Sequence, residues 1–427
     1  MKWLHKINNV SHNPVVRNAG KLLSANVLAQ LLGLLFYPIL TRLYAPSNFG
    51  LFNLFISIGS ILSLFATAEY HYSIALPKEE EKAAACFHVG CVCLLLVSVL
   101  CVGASFFSSV IADWFNTPEL GAVFHLLGFF VFFSGLWNLL NYWWIRQNQF
   151  TRISVYQLTL SGGNVVSKYT FAHLGLMNSG LILGAIVGQL LATISCLLGK
   201  SRALITPLLR PQLSVMRSMA KEYRNYPLYS LPRVLINNLG AHLPVLLLTP
   251  LFGTTELGLF GMAVTLAFRP INMVVSSLYQ VFLQHSGERI HQHRPISSML
   301  FKYMGRMTMF VLPVFVVLYI VLPNLTAWML GDEWFTTGIY IRLMLPWLFF
   351  TLLLSPMGHL ADVFMKQKWW LGFEILSFIL RLAGLLLGMW KGSMVATIAY
   401  YCLAGTLSYL VQLPCYLYLI RHYEREL

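Results

Sequence analysis

Five ionisable side chains fall inside runs of the sequence that are otherwise apolar: Arg233, Arg269, Arg381, Glu69 and Glu374. A charge at the centre of a membrane helix costs about 2.5–3.5 kcal/mol on insertion scales, so such residues turn away from lipid and mark a substrate or ion path, or a buried pair. A guanidinium offers a planar fork of donors and keeps its charge, whereas a carboxylate can take up and release a proton. Arg269 and Arg381 lie near the middle of their runs, where a cavity-facing role and a structural pairing are both open. Arg233 and Glu69, with Lys168, lie closer to an interface, where snorkelling or local pairing competes with function. Glu374 and Arg381 are seven residues apart and share a helix face, but about 10 Å of axial rise separates them. Direct pairing there requires both side chains to stretch. Glu69 and Glu374 are the candidates for coupling to an ion.

Neutral polar groups gather in two other runs. Asn237, Asn238 and His242 share one in which Gly240 and Pro244 interrupt the regularity, and Gln30 follows Asn26 in the first. Broken membrane helices are where transporter ligands bind, and amides suit sugar hydroxyls; hydrogen bonding between helices explains any one of them equally well.

The elements that carry these residues follow from composition. Of 427 residues, 57% are hydrophobic and 10% charged, against about 25% charged in soluble domains. Such a chain cannot cover a water-facing surface. Twelve apolar runs are long enough to cross about 30 Å of hydrocarbon: residues 22–40, 51–70, 84–108, 121–145, 153–173 and 179–199, then 228–250, 257–280, 307–330, 338–362, 369–390 and 393–420. They are apolar on all sides, which excludes the alternation of a β-barrel and requires helices. No short apolar core with a small-residue cleavage site follows the basic N-terminus, so the first run is retained as a span.

The net charge of +14 is largely a matter of topology. Alternate connections, beginning at the N-terminus, collect 22 Lys and Arg residues, and the opposite side collects four: Arg42, Lys168, Arg342 and Lys391. The positive-inside rule then puts both termini in the cytoplasm. No basic run interleaved with aromatics stands on a polar background, which argues against nucleic acid. The seven cysteines lie in or beside apolar runs and form no disulfide framework; the Cys91/Cys93 pair has no His or acidic partner nearby in sequence to suggest a metal. Neither a phosphate-binding Gly-rich loop nor a nucleophile constellation is present, so the reading includes no cofactor, no metal and no ATP drive. His71, His88, His125, His173 and His359 are scattered and read as packed or interfacial. Trp143, Trp144, Trp369 and Trp370 read as interface belts.

An internal repeat is visible. Thr41 to Phe52 and Thr249 to Phe260 both fit T-x-L-[YF]-x4-[FL]-G-L-F, at a constant offset of 208 residues. Six spans per repeat is an even number, so the halves share an orientation. The expected fold is therefore an all-α polytopic membrane protein: twelve transmembrane helices in two six-helix lobes, related by a pseudo-two-fold axis along the membrane normal. The lobes are residues 1–205 and 206–427, joined by a basic, Pro-broken cytoplasmic linker at about 201–226. No connection on the external side is long enough for a folded domain.

Two segments carry a family resemblance. Thr41 to Ala83 (TRLYAPSNFGLFNLFISIGSILSLFATAEYHYSIALPKEEEKA) and Phe268 to Glu288 (FRPINMVVSSLYQVFLQHSGE) resemble the Wzx-type polysaccharide-biosynthesis oligosaccharide flippases of the MOP superfamily, which also holds the MATE exporters and the lipid II flippases. The resemblance implies transfer of an undecaprenyl-diphosphate-linked oligosaccharide, an O-antigen or exopolysaccharide repeat unit, to the periplasmic leaflet of the bacterial inner membrane. It implies membrane lipids as surroundings, a polysaccharide polymerase and a chain-length regulator as partners, and Arg269 as a residue that meets the lipid diphosphate. The intramembrane charge balance agrees, because three arginines outnumber two glutamates and suit charge-assisted bonds to a diphosphate. A cation-coupled MATE-type exporter is the alternative, for which acidic residues deep in the first lobe are expected and Glu69 is the clear candidate. A polymerase or ligase on similar substrates needs a sizeable external loop, which the sequence lacks.

Overall fold

The computed structural model describes residues 14–198, 206–364 and 366–425. Lys2, Lys6, Lys200 and Arg202, and residues 201–205 of the expected linker, lie outside the described residues. Every long element is a helix, as backbone hydrogen bonding in hydrocarbon demands. In order they are α1 (Pro14–Leu35, continued as Tyr37–Leu43 after Phe36), α2 (Pro46–Ala66), α3 (Glu80–Gly103), α4 (Leu126–Arg146), α5 (Phe150–His173) and α6 (Gly180–Leu197). The stretch Leu231–His291 is helical on either side of Gly253, which gives α7 (231–252) and α8 (254–291). Then come α9 (Ser297–Leu330), α10 (Phe335–Leu354), α11 (Gln367–Trp390) and α12 (Met394–Arg425).

Among the described residues, ten segments are long and apolar enough to cross a membrane. One of them, Tyr226–Ile290, contains both α7 and α8, and α5 falls short because Arg152, Gln157, Asn164 and Lys168 dilute it. The chain is an all-helical, multi-pass membrane protein. Two boundaries differ instructively from the apolar runs. The second helix ends at Ala66 rather than Tyr70, because Ala68 (φ 45°) and Glu69 (φ 64°) take left-handed backbone angles. The ninth begins at Ser297 rather than Met307, since Lys302 and Arg306 interrupt hydrophobicity without interrupting the helix.

The chain divides into two compact units, residues 1–258 and 259–427. In the first, α6 places Gly180, Gly184 and Gly188 at four-residue spacing, and side chains there would collide with the Tyr44 hydroxyl that follows α1 and with Lys168 and Asn164 of α5 respectively. Small residues in register are how membrane helices approach closely. Trp143 and Trp144 are fully buried in this unit's core, not set in an interface belt; Trp369, by contrast, is exposed.

The two copies of the repeated motif meet inside this unit. A methyl group on Gly50 would coincide with the Thr254 carbonyl, and one on Gly258 with the Pro46 carbonyl. The offset of 208 maps Gly50 onto Gly258 and Pro46 onto Thr254, so the contact is reciprocal, like a two-fold interface. It also maps the break at Ala45 (φ −66°, ψ 159°) onto that at Gly253 (φ 76°, ψ 176°). Only the second break requires glycine. In the second unit the core is built by Phe282, Leu354, Met357, Leu360, Tyr416 and Ile420.

Candidate functional site

The first unit holds a buried acid. Beyond the last turn of α2 the left-handed pair Ala68 and Glu69 turns the chain into a short 3-10 helix, Tyr70–Ala75. Glu69 is 3% exposed, and its Oε2 has no hydrogen-bond partner among the described residues. Burial pushes its carboxyl above the ordinary range, and the charge of Arg233 partly offsets this. Beside it His71 is also buried, with Nδ1 2.7 Å from the Thr67 hydroxyl. Its ring lies 4.3 Å from Tyr72 and 5.2 Å from Tyr142, and Tyr72 stacks on Tyr226 at 6.1 Å. Burial lowers His71 to about 4, so the imidazole is neutral at physiological pH. Glu69 thus sits where a proton is easier to gain than in water, among groups that carry no compensating positive charge apart from Arg233.

The polar residues of α7 divide. Arg233, Asn237 and Ala241 are exposed, at the four-residue spacing that forms one helix face. Asn238 donates to the Val234 carbonyl of its own helix at 3.0 Å. His242 Nδ1 lies 3.2 Å from the Ser57 hydroxyl of α2, tying two helices together. On α1, Asn26 and Gln30 are exposed on one face, and Ser161 of α5 donates to the Ala29 carbonyl between them at 2.6 Å.

The second unit holds a cation on an aromatic support. Arg381 of α11 is half-buried. Its Nε donates to the Ser377 carbonyl at 3.2 Å, and its guanidinium lies 6.0 Å from the Trp347 ring centre, at the outer limit of a cation–π contact. Trp347 is held edge-on by Tyr401 at 5.3 Å and by Phe268 at 4.9 Å. Gly405 leaves room for its indole, since a side chain there would overlap the ring. Arg269 follows Phe268 directly on α8 and is exposed. Glu374 is exposed on α11 and, among the described residues, forms no pair with Arg381.

Sequence reasoning found the charged members of both clusters and read His71 as a packed histidine, which it is, but missed the other rings of their aromatic frames: Trp347, Tyr401 and Phe268 in one, Tyr72 and Tyr142 in the other. Only the spacing of Phe268 next to Arg269 hinted at the first. His88 and His359 do prove to be packed, through the Leu208 carbonyl at 2.9 Å and the Ser286 hydroxyl at 2.8 Å.

A family model described as polysaccharide biosynthesis protein matches residues 39–339. No curated protein matches the sequence. Among solved structures, the fold is similar to a lipid II flippase, MurJ, in an inward closed conformation (TM-score 0.70, 12% identity, covering 94% of this chain and 90% of that one). It is similar also to an inward-facing multidrug resistance MATE family transporter of the MOP superfamily (TM-score 0.66, 13% identity, 95% and 99% covered).

Proposed function

Because the chain belongs to the polysaccharide biosynthesis protein family, we propose that it moves an undecaprenyl-diphosphate-linked oligosaccharide across the bacterial inner membrane, to the periplasmic leaflet. The cargo is an O-antigen or exopolysaccharide repeat unit, and the chain acts as a carrier rather than an enzyme. The observation that carries this reading is the second unit's Arg381 on Trp347, with exposed Arg269 beside Phe268. A permanently charged fork held by a buried aromatic frame can bind the diphosphate through charge-assisted bonds. Arg233, Asn237, Asn238, His242 and Gln30 serve as further contacts to diphosphate or sugar. Transport proceeds by alternating access between six-helix repeats, residues 1–205 and 206–427, an arrangement supported by the reciprocal contact of Gly50 and Gly258. Both termini are cytoplasmic, in line with the Lys and Arg count, and a polymerase and a chain-length regulator take up the product.

Glu69 favours a second reading, a cation-coupled exporter of the MATE type, since a buried carboxylate with an unpartnered oxygen suits proton exchange. In the flippase reading the same residue, with Glu374 as the lesser candidate, couples transport to an ion gradient. Reconstituted vesicles separate the two. Arg269→Ala with Arg381→Ala should abolish transfer of lipid-linked oligosaccharide between leaflets, and wild-type transfer by that double variant overturns the assignment. Proton-driven export of organic cations, lost in Glu69→Gln, would establish the exporter instead.

A further inference from the structure

The hairpin that joins α8 to α9 carries a pocket with no part in the proposed transport path. It is an open depression of about 440 Å³ that lies wholly in the second unit. Three cations edge it: Arg289 near the end of α8, and Lys302 and Arg306 one turn apart on α9. The α9 wall is two adjacent stripes, Ser298, Lys302 and Arg306 at four-residue spacing and, one position on, Met299, Tyr303 and Met307. The positive-inside rule accounts for cations on this connection. It does not account for their assembly around an apolar hollow.

The frame of the pocket is fixed by the core behind it. Tyr303 donates to the Leu352 carbonyl at 2.7 Å, and buried Phe282 meets its ring at 4.7 Å. Phe282 also stacks on His359 at 6.1 Å. His359 in turn is held at Nδ1 by the Pro356 carbonyl and at Nε2 by Ser286, both at 2.8 Å. Arg289 is oriented by its bond to the Pro295 carbonyl, 2.9 Å long. Lys302 and Arg306 are different: both are exposed, and among the described residues neither has a hydrogen-bond or ion-pair partner. Glu288, the nearest acid in sequence, is engaged by the Gln284 amide, and Glu424, which reaches the start of α9 from α12, accepts from the Ser297 backbone N–H.

An uncompensated positive rim thus borders an apolar floor, and the floor continues outward. Phe310 is 69% exposed and Val314 and Val317 follow it on the same face of α9, also exposed. A free phosphate would leave this apolar surface uncovered, and a hydrocarbon chain would leave three cations unanswered. An amphiphile with an anionic head satisfies both.

We propose that this pocket holds the phosphate headgroup of an anionic glycerophospholipid, with its acyl chains laid along α9 from Phe310 toward Val317. Such a lipid would reach the site sideways from the bilayer around α9, so the proposal does not depend on the transport reading.

The test uses the full chain in nanodiscs of phosphatidylcholine doped with phosphatidylglycerol, with retained lipid read by native mass spectrometry. Wild-type protein should retain phosphatidylglycerol, and Lys302→Gln with Arg306→Gln should weaken retention about tenfold. The charge-preserving exchange Lys302→Arg with Arg306→Lys should keep it. So should Arg217→Gln with Lys221→Gln, which removes as much charge from the Leu213–Glu222 helix. Unchanged retention in the first variant, or equal loss in the last, overturns the proposal. Displacement of the lipid by inorganic phosphate alone, or by undecaprenyl diphosphate at matched concentration, overturns it as well, in favour of a free-anion site or a substrate entry site.

Discussion

Glu69 and Arg381 are both charged side chains set into a membrane protein, and the fold holds them in opposite ways. Glu69 is enclosed in the first unit by a left-handed turn and a cluster of rings, with one oxygen left unpartnered. Arg381 is only half covered in the second unit, stays bonded to its own helix and rests against the face of Trp347. The first arrangement suits a charge that comes and goes, because desolvation works against the ionised form. The second suits a charge that never leaves, because a guanidinium does not titrate and aromatic faces favour its positive form.

The contrast is most open to breaking at the aromatic support. Trp347 is 8% exposed and wedged among Phe268, Tyr401 and the bare surface of Gly405. Trp347→Ala should lower stability by about 3 kcal/mol or more, because the cavity cannot collapse around three fixed neighbours. Tyr142→Ala, in the Glu69 cluster, removes a ring that is only half-buried and should destabilise by clearly less. Thermal unfolding of both variants in the same detergent measures the difference, and equal losses would mean that the two frames are equally rigid.

The pH dependence of stability comes next, and the two neighbours Glu69 and His71 pull it in opposite directions. His71 in the folded chain takes its proton only near pH 4, against 6.5 in the unfolded chain. Between those values the unfolded state binds more protons, so stability falls as pH drops through the window, by up to about 3 kcal/mol. Glu69 has a raised pKa, so the folded state binds more protons above the ordinary carboxylate range, and stability falls there as pH rises. His71→Phe should therefore flatten the acid limb of a stability profile. Glu69→Gln should remove the opposing limb and raise stability at neutral pH. Unfolding midpoints across pH 4 to 7 resolve the two; a Glu69→Gln variant less stable at neutral pH would show that the carboxylate is ionised and paired, and the comparison would fail.

The sequence exposed the skeleton of this molecule far better than the surroundings of its charges. Apolar runs located the twelve long helices seen among the described residues because hydrocarbon tolerates no other local structure, and the 208-residue offset located the glycines that meet, because close backbone approach leaves a residue type behind. Polar interruptions obscured the ends: Lys302 and Arg306 hid the first turns of α9, and nothing in the letters around Ala68 and Glu69 signals left-handed angles. The ring cluster around Arg381 was not legible because its members come from elements far apart in sequence. Phe268, Trp347 and Tyr401 share no motif, and in a chain this rich in aromatics their identity alone says nothing. Trp143 and Trp144 make the same point in reverse, since a Trp pair at the end of an apolar run has the look of an interface belt and is core.

The smallest effect isolates what the guanidinium itself contributes. Arg381→Lys keeps the charge and most of the aliphatic stem but loses the planar face over Trp347 and the Nε bond to the Ser377 carbonyl. The contact sits at the far edge of cation–π range and the bond is local to the helix, so the loss in stability should be about 1 kcal/mol or less. Affinity for a diphosphate should fall further than that, because an ammonium cannot bind two phosphate oxygens with a fixed fork. Isothermal titration of the purified protein with undecaprenyl diphosphate separates the two quantities. Unaltered affinity alongside unaltered stability would leave Arg381 a charge on a helix and shift the anion-binding role to Arg269, which differs from Arg381 in being exposed.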